Sequence, residues 1–411
     1  MNIAPVAAAS VSEQMGRAKT PARSRSLLRL VCRSLLLLAV PMLAADLKWN
    51  NSFNETYLSR ADGNRITFRV RTPPKVEGQE SYPLLVALKG SLRVDPSRRF
   101  PFIEVRPSRG NVWGYRATSA FDAMQVIAHM KRNYPVDPDR VYLVGSSAGA
   151  SGAMHLASQY PDQFAAVVPL VAAGNNYPAA NFLNLPVAFH HGALDWTSAI
   201  CDVRVQFQKM KRLGCPVSLK EYPDAGHSIP RPHAPIMEWL FAQRREAAPV
   251  RVIHHCDSPE LGRSYWIAIN QFADPHLPAS VDATVDPIRQ IVRITVKNAI
   301  GLSLDRSAMP NDCRELRVDR QSIPVSTDRD KISLICRDGH WSIATEAIPT
   351  RRTYRAGAAA NLLQGEPLLV VYGTGGESAG RIAGLRAAAE KIAGCGGPHY
   401  ASLRDRFPVL A

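Results

Sequence analysis

The chain has 411 residues, 46% hydrophobic and 21% charged, a balance that excludes a disordered or fibrous protein. At roughly 100–200 residues per domain it has room for more than one folded unit, each with its own core. The formal charge of +15 raises nucleic-acid binding as a class, but the basic residues are scattered, with no basic helix or aromatic-basic stripe, which argues against it.

Much of the excess lies at the front. Arg17, Lys19, Arg23, Arg25, Arg29 and Arg33, set against Glu13, precede an apolar run over 35–45. A basic segment, a short apolar stretch and small residues in that order read as a secretory signal. The run is short for a bilayer span, so residues 1–45 are expected to be removed near Ala45, leaving a secreted or periplasmic protein without a stable membrane span. An uncleaved anchor is the alternative, and Met15 is a candidate start. Cys32 lies in this leader; the other six, Cys201, Cys215, Cys256, Cys313, Cys336 and Cys395, are free to oxidise in an exported chain. Spacing does not select a pairing. No Cys-x-x-Cys or His-rich cluster appears, so no metal site is expected.

Over 46–248 short β-branched runs alternate with helical segments, the pattern of a mostly parallel sheet flanked by helices. Strands are expected at 84–88, 102–105, 141–144, 167–172, 187–190 and 217–222, and helices at 120–132, 150–159 and 203–212, all joined by parallel crossovers. Pro135, Asp137 and Pro138 are expected to separate the first helix from the strand that follows. Past 249 the character changes. Runs at 265–269, 291–296 and 331–336 predict strands with little helix between them, hence a smaller β-rich domain over 249–411. Its tail reads as a strand at 368–372, the turn Gly373-Thr374-Gly375-Gly376 and an alanine-rich helix at 378–392. That turn lacks the Lys-Ser/Thr ending of a phosphate-binding loop.

The strongest chemical signal is Gly145-x-Ser147-x-Gly149 between a predicted strand and helix. Two glycines permit a turn so sharp that the serine hydroxyl stands clear of the sheet. A serine hydroxyl is a weak nucleophile until a base takes its proton, so a histidine and an orienting carboxylate must follow at strand ends. Asp195, in His191-Gly192-Ala193-Leu194-Asp195, and His227, in Tyr222-Pro223-Asp224-Ala225-Gly226-His227, both do. The order serine, acid, histidine gathers all three at one sheet edge.

Each place has rivals. His155 lies eight residues into the helix, roughly 12 Å along its axis, too far to reach back. His190 and His191 fit a structural place beneath the acid loop; His233 is the substitute base and Asp202 the substitute acid, while Asp224 is too close in sequence to His227. For an oxyanion, the backbone amide of Ala148 is the first donor and Ser91 or Gly90, in the loop after 84–88, the second. Trp113, Tyr115 and Trp196 offer an aromatic wall, and Arg106, Arg109 and Arg116 an attraction for acidic substrates, against the plainer reading of core aromatics and solvated arginines.

Taken together, the segment 139–149, His191-Gly192-x-x-Asp195 and 222–227 resemble the prolyl oligopeptidase family of α/β-hydrolases and its related secreted esterases, the feruloyl esterases and polyhydroxybutyrate depolymerases. The resemblance covers about 82–244 and implies an α/β-hydrolase fold over 46–248, followed by the β-rich domain, with cofactor-free serine hydrolysis of a peptide or ester bond by Ser147, Asp195 and His227. Gly110-Asn111 and Gly114-Tyr115-Arg116 are similar to a loop of some bacterial members. Three departures stand out. Lys89-Gly90 replaces the usual His-Gly, Ala150 replaces a second glycine, and fewer than 40 residues separate the leader from Leu84, too few for a propeller. The expected partner is therefore a small-molecule, peptide or polysaccharide-ester substrate, with a non-catalytic binding protein on the hydrolase scaffold as the other class of answer. Carbohydrate or surface binding is the role expected of the β-rich domain.

Overall fold

Alternating half-buried and exposed residues in Ser52–Leu58 (β1) and Arg65–Arg71 (β2) pair antiparallel at one edge of the central sheet. These strands are absent from the expected set, and their pairing breaks the expectation that every connection is a parallel crossover. Inward, β2 pairs antiparallel with β4 (Ile103–Pro107), and β4 lies parallel to β3 (Tyr82–Leu88). The sheet continues through β5 (Val136–Ser146), β6 (Ala166–Leu170), β7 (Val187–Gly192) and β8 (Val217–Tyr222), all parallel, in the order β1-β2-β4-β3-β5-β6-β7-β8. Every residue of β3 and β6 is buried, as strands covered on both faces must be. The computed structural model describes residues 48–350, apart from 61–62, 90–99, 109–114, 116–117, 173, 175, 231–232 and 327–328, with a few positions after 369. All lie in one of the chain's two compact units, Lys48–Ala411. The leader over 1–45, Cys395 and most of the expected tail lie outside the described residues; of that tail, Val370–Val371 pairs with Val409–Leu410.

Among the described residues four helices cover this sheet: α1 (Thr118–Asn133), α2 (Ala148–Gln159), α3 (Ile200–Arg212) and α4 (His233–Ala242). Phe241 of α4 packs its ring 5.6 Å from both Phe102 and Tyr142, joining a core that includes Leu85, Val144, Val168 and Leu240. Phe102 and Tyr142 are fully buried and Phe241 partly so; full burial of a side chain of this size contributes about 1.5–3 kcal/mol relative to exposure. The expected break at 135–138 falls differently: α1 ends at Asn133, and β5 begins at Val136 and carries Pro138 within it. Val136 pairs with Tyr82, then the register shifts before Val141 meets Leu84. A proline lacks the N–H a ladder needs, and the irregular stretch is where its absence is tolerated.

After Arg251 the chain builds two five-stranded sheets. One holds β10 (Arg263–Ser264), β11 (Ile267–Phe272), β14 (Ala299–Asp305), β17 (Lys331–Arg337) and β18 (His340–Ile343) in that order. The other runs β16 (Gln321–Pro324), β15 (Glu315–Val318), β13 (Ile291–Lys297), β12 (Ala279–Asp286) and β9 (Arg251–Cys256). Strict alternation of buried and half-buried residues along β12 sends Val281, Ala283 and Val285 into a core with Trp266, Ile294, Leu302, Leu316 and Leu334. The strand expected at 265–269 starts two residues later, because Tyr265 takes a left-handed φ of 52° in the turn between β10 and β11. Asn181, buried beside α2, joins this part to the first: its Nδ2 donates to Ser158 O at 2.7 Å and His255 O at 2.9 Å, and its Oδ1 accepts from the His255 amide at 2.8 Å. The five described cysteines are unpaired thiols. Among the described residues no helix is long and apolar enough to cross a membrane.

Candidate active site

Strand β5 ends at Ser146, and the chain turns at Ser147 with φ 55° and ψ −121° before entering α2. A positive φ on a residue with a Cβ is strained by about 1–3 kcal/mol and persists only where surrounding contacts hold it. Here the Ser147 amide donates to Leu170 O at 2.9 Å, while the Ser147 carbonyl accepts from the amides of Ala150 and Ser151. The flanking glycines are needed for close approach rather than flexibility. A Cβ on Gly145 would lie 2.1 Å from Gly149 O, and one on Gly149 would lie 1.9 Å from Leu88 O.

Two loops from neighbouring strands meet this turn. After β7, the amides of Ala193 and Leu194 donate to Tyr222 O and Ala225 O, each at 2.9 Å, zipping the loop that carries Asp195 to the one that carries His227. Asp195 Oδ1 accepts from the amides of Thr197 and Ser198, both at 2.9 Å. Its Oδ2 accepts from His227 Nδ1 at 2.8 Å, and His227 Nε2 lies 2.9 Å from Ser147 Oγ. A carboxylate only accepts, so Nδ1 carries the hydrogen, and Nε2 of the neutral ring is left to accept from the serine hydroxyl. The Asp195 side chain is fully buried, while the His227 side chain is 31% exposed. Ser147, Asp195 and His227 are thus brought together at the carboxyl edge of the parallel strands, as a chain of hydrogen bonds ending on an alcohol.

The rivals stand elsewhere. Asp202 lies in the first turn of α3, His233 opens α4 and Asp224 is exposed; none joins this chain of hydrogen bonds. His155 is within α2, where its carbonyl accepts from Ser158 Oγ. His190 stacks on Tyr222, its Nδ1 2.9 Å from the phenol oxygen, and burial, with Lys220 adding, pushes it down to about 4. His191 is buried under the acid loop with Nε2 2.7 Å from Ser198 O. Ala148 is the first residue of α2, so its amide has no carbonyl one turn back to bind and points with the helix N-terminus. Ser91 and Gly90 lie outside the described residues, as do Trp113, Arg109, Arg116 and 373–376. Lys89 is described and adopts a left-handed φ of 43°.

Of the aromatic wall, Tyr115 is a core residue: it is buried, its hydroxyl donates to Pro107 O at 3.1 Å, and burial pushes that hydroxyl up to about 12. Trp196 is the opposite case, 89% exposed next to Asp195, with Leu194 also exposed. Arg106 is tied to the buried Glu104 at 2.6 Å. Among the described residues no cluster of His, Cys, Asp and Glu is placed to hold a metal ion.

Residues 111–251 match the model of the dienelactone hydrolase family, an α/β-hydrolase family. Over 80 residues the chain is 36% identical to poly(3-hydroxyalkanoate) depolymerase C of Paucimonas lemoignei, a stretch covering 20% of this chain and 19% of that protein. The chain thus spans about a fifth of that relative's length. Among solved structures, a thermostable esterase aligns over 47% of this chain and 63% of its own, with 21% identity and a TM-score of 0.42. A ferulic acid esterase from the anaerobic fungus Anaeromyces mucronatus aligns over 48% of this chain and 92% of its own, with 13% identity and a TM-score of 0.38. By the family match the chain is similar over 111–251 to the dienelactone hydrolases, within an α/β-hydrolase fold followed by a β-rich C-terminal region.

Proposed function

We propose that this protein is an exported serine hydrolase that cleaves a carboxylic ester or peptide bond through an acyl-enzyme. The observation that carries the reading is the hydrogen-bonded chain from Asp195 Oδ2 through His227 to Ser147 Oγ, with the serine held in a strained turn at the sheet edge. In this reading Ser147 Oγ attacks the acyl carbon while His227 Nε2 takes its proton, and Asp195 stabilises the resulting imidazolium. The same imidazolium then protonates the leaving alcohol or amine as its bond to the acyl carbon breaks. Water, deprotonated by His227, attacks the acyl-enzyme and releases the acid, returning the proton to Ser147. The Ala148 amide and a donor from the loop containing Ser91 hold the oxyanion; one such donor is worth on the order of a hundredfold to a thousandfold in rate. Export rests on the basic-apolar-small order of the leader over 1–45.

Within that reading, an ester of an apolar or aromatic acid is favoured over a peptide. Leu194 and Trp196 flank the acid in the open, and the stretch of 36% identity is to a depolymerase of a polyester. Hydrolysis of aryl esters, a feruloylated sugar, an insoluble hydroxyalkanoate polyester and short peptides, with Ser147→Ala and His227→Ala as controls, tests the assignment. Turnover of esters but not peptides, lost in both variants, is expected. Peptide cleavage without ester cleavage would overturn the ester preference, and a folded wild-type protein inert on the whole panel would favour a binding protein on the hydrolase scaffold.

A further inference from the structure

His191 is 1% exposed and faces the acid turn from below, and none of the steps above uses it. Its Nε2 lies 2.7 Å from Ser198 O and 3.3 Å from Asp195 Oδ2. A carbonyl oxygen only accepts, so Nε2 must carry a hydrogen. The other ring nitrogen, Nδ1, is buried without a hydrogen-bond partner. The hydrogen that the geometry requires of this ring is therefore the one on Nε2.

That hydrogen reaches a residue whose backbone has two duties. The amide of Ser198 donates to Asp195 Oδ1, and the carbonyl of the same residue accepts from His191. Ser198 is therefore clamped from both sides. The N–H dipole that closes the clamp also faces Oδ2, the carboxylate oxygen that His227 uses. With Oδ1 fixed by the turn and Oδ2 lying between two imidazoles, the carboxylate has no free rotation left.

We infer that His191 is a positioning residue: as an Nε2–H donor to the Ser198 carbonyl it closes the turn that aims Asp195 at His227. The inference rests on the proposed hydrolase reading for its kinetic consequence but not for its structural one. Glutamine places an amide N–H near the position of the imidazole Nε2, methionine fills similar space without a donor, and asparagine is too short to reach Ser198.

The test compares full-length wild type, His191→Gln, His191→Met and His191→Asn by two readouts. The first is steady-state hydrolysis of an aryl ester. A misplaced catalytic group costs about a hundredfold, so kcat should fall by about that factor in His191→Met and His191→Asn at little-changed KM, and be largely restored in His191→Gln. The second is the strongly downfield proton resonance of the His227 Nδ1–H bound to Asp195, assigned by its loss in His227→Ala. It should persist in wild type and His191→Gln and move or vanish in His191→Met and His191→Asn. Folded His191→Met that keeps both wild-type kcat and wild-type resonance would overturn the inference, as would His191→Gln as impaired as His191→Met. Should His191→Met not fold, His191→Asn against His191→Gln decides the same question. An inert wild type would refute the hydrolase reading alone, since the resonance comparison still tests the positioning.

Discussion

The carbonyl oxygen of Leu88 occupies the space a Cβ on Gly149 would need, 1.9 Å from where that atom would be built. The end of β3 and the start of α2 therefore touch backbone to backbone, beside the amide of Ala148. Gly149→Ala must push the helix start off the strand. Overpacking of this kind costs about 1–3 kcal/mol, so a lowered melting temperature is expected together with loss of ester hydrolysis. Wild-type stability and turnover in the purified variant would contradict the placement.

Asp195→Asn tests the acid separately from the scaffold. The amides of Thr197 and Ser198 still have an oxygen to meet at Oδ1, but the amide nitrogen replacing Oδ2 donates where His227 Nδ1–H needs an acceptor. The ring is then driven to the tautomer that cannot take the serine proton. A fall in kcat of about ten-thousandfold with a near-normal melting temperature is expected. A loss under tenfold would mean that another group orients His227.

The pH dependence of stability follows from two histidines, the buried His254 and the half-buried His190. Burial, more than any neighbouring charge, pushes both His190 and His254 from 6.5 down to about 4. Their folded-state affinity for protons is thus below that of the unfolded chain. The stabilisation is fully present above the unfolded value and is lost as pH falls from 6.5 toward 4, where the unfolded state binds the protons first. Chemical denaturation should show stability declining by roughly a few kcal/mol across that window. A curve flat from pH 7 to 4 would contradict the assignment.

Asn181 tests how the β-rich part is held. Removing its amide leaves Ser158 O, His255 O and the His255 N–H without this partner. The Ser158 contact is buried and the two His255 contacts are part-buried; a buried polar group stranded in this way costs about 1–3 kcal/mol. Asn181→Ala should lower the denaturation midpoint clearly while leaving kcat on a soluble ester near wild type. An unchanged midpoint would show that the contact is not a structural tie.

Much of this arrangement was legible beforehand, and the reasons are local. Buried parallel strands such as β3 and β6 announce themselves as unbroken apolar runs, and the Gly145-x-Ser147-x-Gly149 turn is written by steric need. The hairpin of β1 and β2 was missed although Arg65-Ile66-Thr67-Phe68-Arg69-Val70-Arg71 alternates strictly, because an edge hairpin lacks the apolar run that marks a buried strand. Tyr265 reads as strand by propensity and turns because the tertiary fold demands a left-handed residue between β10 and β11. A structural place for His191 beneath the acid loop is legible from its spacing of four from Asp195, but its bond to Ser198 O is not, since only the folded loop brings that carbonyl to its ring. Tyr115 likewise could not be sorted from Trp196 by type, and burial alone separates them.

The most direct test of the central claim is covalent. Treating the purified protein with a fluorophosphonate and mapping the adduct by peptide mass spectrometry should place one phosphonyl group on Ser147. Labelling should be abolished by Ser147→Ala and strongly slowed by His227→Ala. A folded wild-type protein that takes no label, or takes it at another residue with equal ease, would contradict the account.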